Sequence, residues 1–319
     1  MLKNNRPGID RAIEPLNGVT RDGQPLSYNR APAPDLAPWI ARLYATVVIA
    51  PPDHRLDCGL FSDTSVLRFQ LKGKWQAHTA DGVLENDQPA ALYFGPQTRI
   101  MPVSVTGSFV SLGIALRPGT GHAWMGVNGA DYLDRVIPCE EMGLPGKEAL
   151  SALDLGGSPE SWIRMLEDMI RLEAQRTGYA KPDPITARFE TLAFTDPNAG
   201  ISEFARECGV DQRKLERIVH RDFGMAPKQV LRRARALDMA SHLRGVADER
   251  EGAELALRYY DQSHLIREFA ELFGMSPSQF VTKSLPLLTL GLESRQARRL
   301  EAIERLKPGE IRPWQTGAD

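Results

Sequence analysis

The sequence predicts an α+β, multidomain chain: a β-rich, sandwich- or barrel-like N-terminal domain followed by an all-α domain made of two helix-turn-helix units. Three observations point there. Short segments of β texture (LYATVVIA, SVLRFQL, GKWQAHTA, AALYFG, FVSLGIAL) are separated by Gly, Pro and Asp turns over roughly residues 44–120. Apolar residues recur at helical spacing almost throughout residues 185–282. Within that helical half, FGMAP at Phe223–Pro227 returns as FGMSP at Phe273–Pro277, fifty positions later.

Taken in order, residues 1–43 are rich in Pro and polar side chains, with APAPDLAPW at Ala31–Trp39, and read as an arm or irregular lead-in. Residues 44–157 form the β-rich domain. Parallel βαβ units are disfavoured, because nothing between the strands has helical period or length. Residues 158–184 hold an amphipathic helix and a linker. SPESWIRMLEDMIRLEAQR has start signals at its head and apolar residues at Trp162, Met165, Leu166, Met169 and Leu172. That stripe suits packing on its own domain or a helix between subunits of a dimer. TGYAKPDP at Thr177–Pro184 then breaks the helical pattern. Residues 185–283 form the double helix-turn-helix domain, with helices expected near 185–194, 200–208, 212–222, 227–243, 252–258, 262–272 and 277–283. Residues 284–319 form a tail with one more helix over 292–306, to which the pattern assigns no role.

Composition agrees with a folded protein. The chain has 319 residues, 42% of them apolar and 25% charged, with no low-complexity tract. Cys58, Cys139 and Cys208 are too few and too scattered for a disulfide framework or a Cys-x-x-Cys metal site, which favours a reducing compartment. No apolar stretch has the length of a membrane span and the first residues have no signal-peptide core, so a cytoplasmic protein with no membrane partner is expected. The net charge of −2 hides a local cluster. Residues 1–180 carry 17 Lys and Arg against 20 Asp and Glu, whereas residues 206–235 carry nine against four. A basic cluster of that size is either a solvated helix face or a nucleic-acid footprint.

The first copy of the repeat bears on that choice. In ISEFARECGVDQRKLERIVHRDFG, Ile201, Phe204 and Ala205 are the buried side of a short helix, and Gly209 suits a tight turn. Asp211 is a good N-cap for a second helix whose Leu215, Ile218 and Val219 point inward. That helix exposes Gln212, Arg213, Glu216, Arg217 and His220. Arg and Gln on an exposed helix are the side chains that read guanine and adenine through paired hydrogen bonds in a major groove. The second copy aligns at Asp261, Gln262, Leu265, Arg267, Phe273, Gly274, Met275 and Pro277.

These residues carry a specific resemblance. Asp261, Ser263, His264, Leu265, Arg267 and Phe269, followed by Gly274, Ser276, Pro277 and Phe280, resemble the signature of AraC/XylS-type bacterial transcription regulators. The resemblance covers residues 185–283. It implies a DNA-binding domain of two helix-turn-helix units on a long connecting helix, here Lys228–Arg244, holding the two recognition helices near one DNA turn apart, about 34 Å. The family's base-contacting places fall on Arg213, Glu216 and Arg217 in copy one, and on Gln262, Ser263, Ile266 and Arg267 in copy two. Lys214, Arg232, Arg233 and Arg235 are the candidates for phosphate contact, a solvated face being the alternative for the last three. His264 is expected to orient its turn, and Phe223 and Phe273 to lie in the core.

Copy two departs from the family pattern just ahead of its recognition helix. Glu254 stands where a small residue is usual and Arg258 where the turn glycine is usual; taking Ala256 as the small residue leaves the connection two residues short. A buried, unpaired carboxylate is costly. Copy one is therefore expected to supply most of the base readout.

For the front domain the resemblance implies a sensing role, with a small-molecule effector as one partner, a homodimer as another route of control, and RNA polymerase as a downstream partner. Trp75, Phe94, Arg117 and Trp124 are the residues singled out for an effector pocket, with Arg117 for an anion, although aromatic residues there also serve as plain core. No cofactor, metal or catalytic residue is expected. His54, His78 and His122 are isolated, and neither a Gly-x-Ser-x-Gly elbow nor a phosphate loop occurs. The rival function is an effector-binding or scaffold protein whose helix-turn-helix units contact protein. It is kept open by the balance of 16 Lys and Arg against 16 Asp and Glu over residues 181–283.

Overall fold

A computed structural model of the chain describes residues 7–247 and 262–315. Its N-terminal half is built on one antiparallel sheet. Strand β3 (Ile40–Ile49), strand β8 (Met101–Leu116) and strand β5 (Val66–Thr79) form the centre, and the order across the sheet is β1-β3-β8-β5-β7-β9. Here β1 is Glu14–Pro15, β7 is Ala90–Phe94 and β9 is Val136–Pro138. Strand β2 (Tyr28–Arg30) adds to β3, β4 (Arg55–Leu60) to β8, and β6 (Gly82–Asn86) to β5. SVLRFQL and GKWQAHTA, expected as two strands, are one. The register against β8 slips between Gln70 and Lys74, and Gly73 sits at φ +105°, where a side chain would be strained, so β5 bends without breaking its pairing. MPVSVTG is likewise joined to FVSLGIAL in β8.

Alternation along the strands gives the sheet two different faces. One face presents Leu43, Ala45, Leu67, Phe69, Leu112 and Ile114 to helix α3 (Pro159–Arg176), which buries Trp162, Ile163, Leu166, Ile170 and Ala174 against them. The Ser158 hydroxyl accepts the Ser161 amide at 3.1 Å and Pro159 occupies the first turn, so this helix starts where the sequence places it. Of the expected stripe, Trp162 and Leu166 are buried on its own domain and Met165 and Met169 pack half-buried against it, whereas Leu172 is exposed. The other face carries Trp75, Phe94, Val105 and Phe109, and Leu287 and Leu290 pack on it from the far C-terminal end of the chain.

The lead-in is irregular but firmly packed. Leu26, Leu36 and Trp39 are buried, and Arg30 pairs with Glu160 at 3.0 Å and Glu167 at 2.8 Å on α3. The Gly8 amide donates to the Val281 carbonyl at 2.8 Å, tying the start of the described chain to the helical half.

Beyond the sheet lie α1 (Thr120–Met125) and α2 (Gly146–Ala152), then the helical half: α4 (Pro184–Thr195), α5 (Ile201–Glu207), α6 (Gln212–Phe223), α7 (Pro227–Leu243), α8 (Gln262–Phe273) and α9 (Pro277–Thr282). The expected helix at 252–258 and the altered turn around Glu254, Ala256 and Arg258 lie outside the described residues. The tail helix, α10 (Pro286–Ala302), begins six residues before its expected start, with Pro286 in its first turn, and buries 14 of its 17 residues. It is wedged between the sheet and the helical half. Arg42 of β3 pairs with Glu301 at 2.7 Å on one side, and Arg295 pairs with Asp238 of α7 at 2.6 Å on the other.

Candidate nucleic-acid interface

The first helix-turn-helix is α5 and α6. Phe189 of α4 stacks edge-on to Phe204 and Phe223, and Leu215 and Val219 complete a small core. The turn between the helices uses Gly209 at φ +69°, and the Asp211 carboxylate accepts the Lys214 amide at 2.7 Å, which caps α6. With the inner face committed to core, Gln212, Arg213, Glu216, Arg217 and His220 are exposed, the set expected for this helix, and Lys214 is exposed beside them. The Gln212 side chain bridges the unit, accepting from Ser202 at 2.6 Å and donating to Glu216 at 2.8 Å. Arg213 and Arg217, one turn apart, point their cations outward from the same helix.

The C-terminal end of α6 rests on the front domain. Gly129 packs so closely on Arg221 and Gly224 that a Cβ would stand 2.9 Å from the Arg221 carbonyl. Glu216, Arg217 and His220 share an open cleft with His122 and Asn128 of that domain.

In the second unit Phe269, Phe273 and Phe280 form a mutually packed cluster with ring centroids 4.3–5.0 Å apart, so the repeated phenylalanine is core in both copies. Arg267 and Ile266 are exposed on α8, with Ile266 at 43%. The side chains of Gln262, Ser263 and His264 lie outside the described residues. Ser276 accepts the Gln279 amide and Gln279 reaches back to the Ser276 amide at 2.9 Å, a capping box that starts α9.

The arginines of α7 have other work than phosphate. Arg233 is 2% exposed and donates to the carbonyls of Gln97 at 2.8 Å and Asp63 at 2.9 Å, both in the front domain. Burial pushes its pKa down to about 10, which leaves it charged and out of reach of any duplex. Arg232 pairs with Glu271 and approaches Glu268 at 3.7 Å, while Arg235 donates to the Pro197 carbonyl at 2.8 Å and to Glu268 at 3.5 Å. Charge counting, which left these three between phosphate contact and a solvated face, does not see that Glu268 and the front domain's carbonyls lie beside them. Lys214 is the exposed cation of the four. Lys214→Ala is expected to lower the slope of log affinity on log salt by about one, and Arg233→Gln to leave it unchanged. Titrations by fluorescence anisotropy at four salt concentrations distinguish the two.

The four residues singled out for an effector pocket do not converge. Trp75 and Phe94 line one cavity between the sheet and α10. Trp124 packs against Trp39 at 5.7 Å on the opposite face of the sheet. Arg117 pairs with Glu190 of α4 at 2.7 Å and donates to the Ala37 carbonyl at 2.6 Å, so its cation is spent joining the two halves.

Sequence reasoning missed a buried charge cluster at that junction. Asp63, on the connection from β4 to β5, accepts from Arg295 at 3.0 Å and Arg298 at 2.6 Å. Both guanidinium groups lie over the Phe194 ring at the end of α4, 5.5 and 4.9 Å from its centroid. Arg299 donates to the Phe194 carbonyl at 3.1 Å. Burial opposes ionisation of Asp63, yet the charges of Arg298, Arg295 and Arg233 hold its pKa below the usual carboxylate range. A run of arginines on an amphipathic tail helix was the only local signal for this cluster.

A family model for a helix-turn-helix domain matches residues 204–283. Among solved structures the chain is similar to an apo variant of ToxT from Vibrio cholerae, with 11% identity, a TM-score of 0.44, and coverage of 75% of this chain and 96% of that one. ToxT from Vibrio cholerae bound to an unsaturated fatty acid gives 10% identity, a TM-score of 0.42, and coverage of 75% and 93%. The AraC-like transcriptional activator CuxR gives 14% identity, a TM-score of 0.26, and coverage of 61% and 76%. No curated protein matches the chain.

Proposed function

From the AraC-type helix-turn-helix domain carried at residues 204–283, we propose that the chain is a sequence-specific DNA-binding transcriptional regulator whose front domain receives a controlling signal. The observation that supports this best is the outer face of α6. A capped, rigidly mounted helix presents Arg213 and Arg217 on its exposed face, and neither guanidinium makes an ion pair among the described residues. Lys214 would dock the module on phosphate, Arg213 and Arg217 would read base edges with Gln212 and Glu216, and α8 would offer Arg267, Gln262, Ser263 and Ile266 to a second groove segment. A small-molecule signal or a change in dimer geometry at the front domain would act by shifting how α6 rests on that domain. RNA polymerase would be the partner through which regulation is read out.

A gel shift on DNA upstream of the protein's own coding region tests the reading. Retarded complexes that weaken steeply between 50 and 200 mM salt are expected, and no retardation even at low salt would defeat it. The second reading, a helix-turn-helix that contacts protein, draws on the contact α6 already makes with Gly129. Under that reading, the chain captures a protein partner through α6 and shows no salt-dependent DNA binding.

A further inference from the structure

The face of the sheet that α10 covers is not uniformly apolar. Strand alternation places Arg42, Tyr44 and Thr46 of β3, Arg68 of β5 and Ser111 of β8 on it. Gly113 of β8 lies between Tyr44 and Arg68 in the register. Any side chain there would collide with the Tyr44 ring, so glycine is what lets that ring lie across β8 toward Arg68. The Arg68 guanidinium sits 5.7 Å from the Tyr44 ring centroid and 5.1 Å from that of Phe94.

Three polar atoms on this face are buried without a partner, on residues of which Ser111 is buried and Tyr44 and Arg68 are half-buried. Arg68 Nε, the Tyr44 hydroxyl and Ser111 Oγ have no hydrogen-bond partner among the described residues. All three line one cavity of about 80 Å3, whose remaining wall is mainly apolar: Trp75, Phe94 and Phe109 from the sheet, Leu287 and Leu290 from α10. Arg42, Arg295 and Arg298 also border it, but their charges meet Glu301, Asp238 and Asp63. Arg68 has no such carboxylate within 4 Å among the described residues.

Leaving a buried donor unsatisfied costs about 1–3 kcal/mol, more for a charged one, so three together mark a place built to receive something. Arg68 can only donate and carries a charge, which selects an anion, and the two hydroxyls can donate to the same group. The apolar wall selects an anion with a hydrocarbon body over inorganic phosphate. A cavity of about 80 Å3 is several times the roughly 10–15 Å3 that one water requires, so it has room for a small acid.

We propose that this cavity is a binding site for a short-chain monocarboxylate, held by Arg68, Tyr44 and Ser111 at its carboxylate and by Trp75, Phe94, Phe109 and the α10 leucines along its alkyl chain. Because α10 is also ion-paired to α7 through Arg295 and Asp238, the ligand touches the helix that joins the sheet to the DNA-binding half. The site itself stands apart from the regulator reading; its role as the controlling signal rests on that reading.

The test is calorimetric titration of the full chain with propionate and butyrate, with propionamide as the neutral isostere and inorganic phosphate as the anion without a hydrocarbon body. Saturable 1:1 binding of the acids is expected, at least about tenfold tighter than either control. Arg68→Met should lose at least about tenfold in affinity, and Ser111→Ala, a smaller change, should weaken binding without altering the urea midpoint by much. Propionate binding no better than propionamide, or undiminished in both variants, overturns the proposal; so does the absence of saturable binding, in which case solvent satisfies the three groups. A gel shift run in parallel separates the two readings. Carboxylate binding without DNA binding sinks the regulator and leaves the site, and DNA binding without carboxylate discrimination does the reverse.

Discussion

Replacing Asp63 with alanine is expected to destabilise the protein by about 3–5 kcal/mol, the range for breaking a buried ion pair by removing one partner. Its carboxylate meets two guanidinium groups, Arg295 at 4% and Arg298 at 7% side-chain exposure; without it Arg295 keeps Asp238 at 2.6 Å, while Arg298 is left with only Glu190 at 3.9 Å among the described residues. The loss should appear as a lower urea midpoint. Asp57→Ala is the matched control: that carboxylate is exposed, pairs only with exposed Arg55, and should change stability by no more than about 0.5 kcal/mol. The same carboxylate sets a pH dependence. Because its pKa is depressed in the folded protein, it contributes stability that is fully present above the unfolded value, about 3.9, and lost as pH falls through the folded value. Urea midpoints of the parent protein should therefore fall below about pH 4 more steeply than those of Asp63→Ala. Parallel profiles would show that the cluster does not hold the two halves together.

Arg217→Ala should cost about 1–3 kcal/mol at a cognate site, roughly 5- to 150-fold in affinity, and much less on random DNA. Arg217 sits one turn beyond Arg213 on the exposed face of α6, on a helix whose position is fixed by Leu215, Ile218 and Val219 beneath it and by the Asp211 cap. Removing the side chain should leave that mounting intact, so the loss reports on contact with DNA. Anisotropy titrations on both DNAs decide the role. Equal loss on the two assigns Arg217 to phosphate, and no loss on either removes it from the interface. Mutating each half-site of the operator extends the test to the two copies: greater loss from the copy-two half-site would overturn the expectation that α6 dominates readout.

The first recognition helix was legible almost residue by residue. Capping by Asp211, the turn at Gly209 and the inward set of Leu215, Ile218 and Val219 all depend on neighbours within a few positions. Residue type and spacing carry that information. Long strands were half legible. The sequence shows turn residues, and Gly73 reads as a break between two strands, but only the pairing with β8 reveals that the backbone bends there and continues. The effector residues were the least legible. Trp75 and Trp124 look alike in sequence, yet they face opposite sides of the sheet, and Arg117 meets a glutamate 73 positions away.

By itself, then, the amino-acid sequence determined the β-rich front and helical rear, the first helix-turn-helix and the outward face of α6, because each follows from periodicity and capping over a few turns. Tertiary structure alone decided the fate of the charges and the meaning of the tail. Arg298 finds Asp63 across 235 residues, Arg233 finds the Gln97 carbonyl across 136, and α10 becomes the wedge between the halves and one wall of the Arg68 cavity. A guanidinium in water and one in a junction are the same letter in the chain. What separates them is which desolvated oxygen the fold brings within 3 Å, and no local pattern encodes that distance.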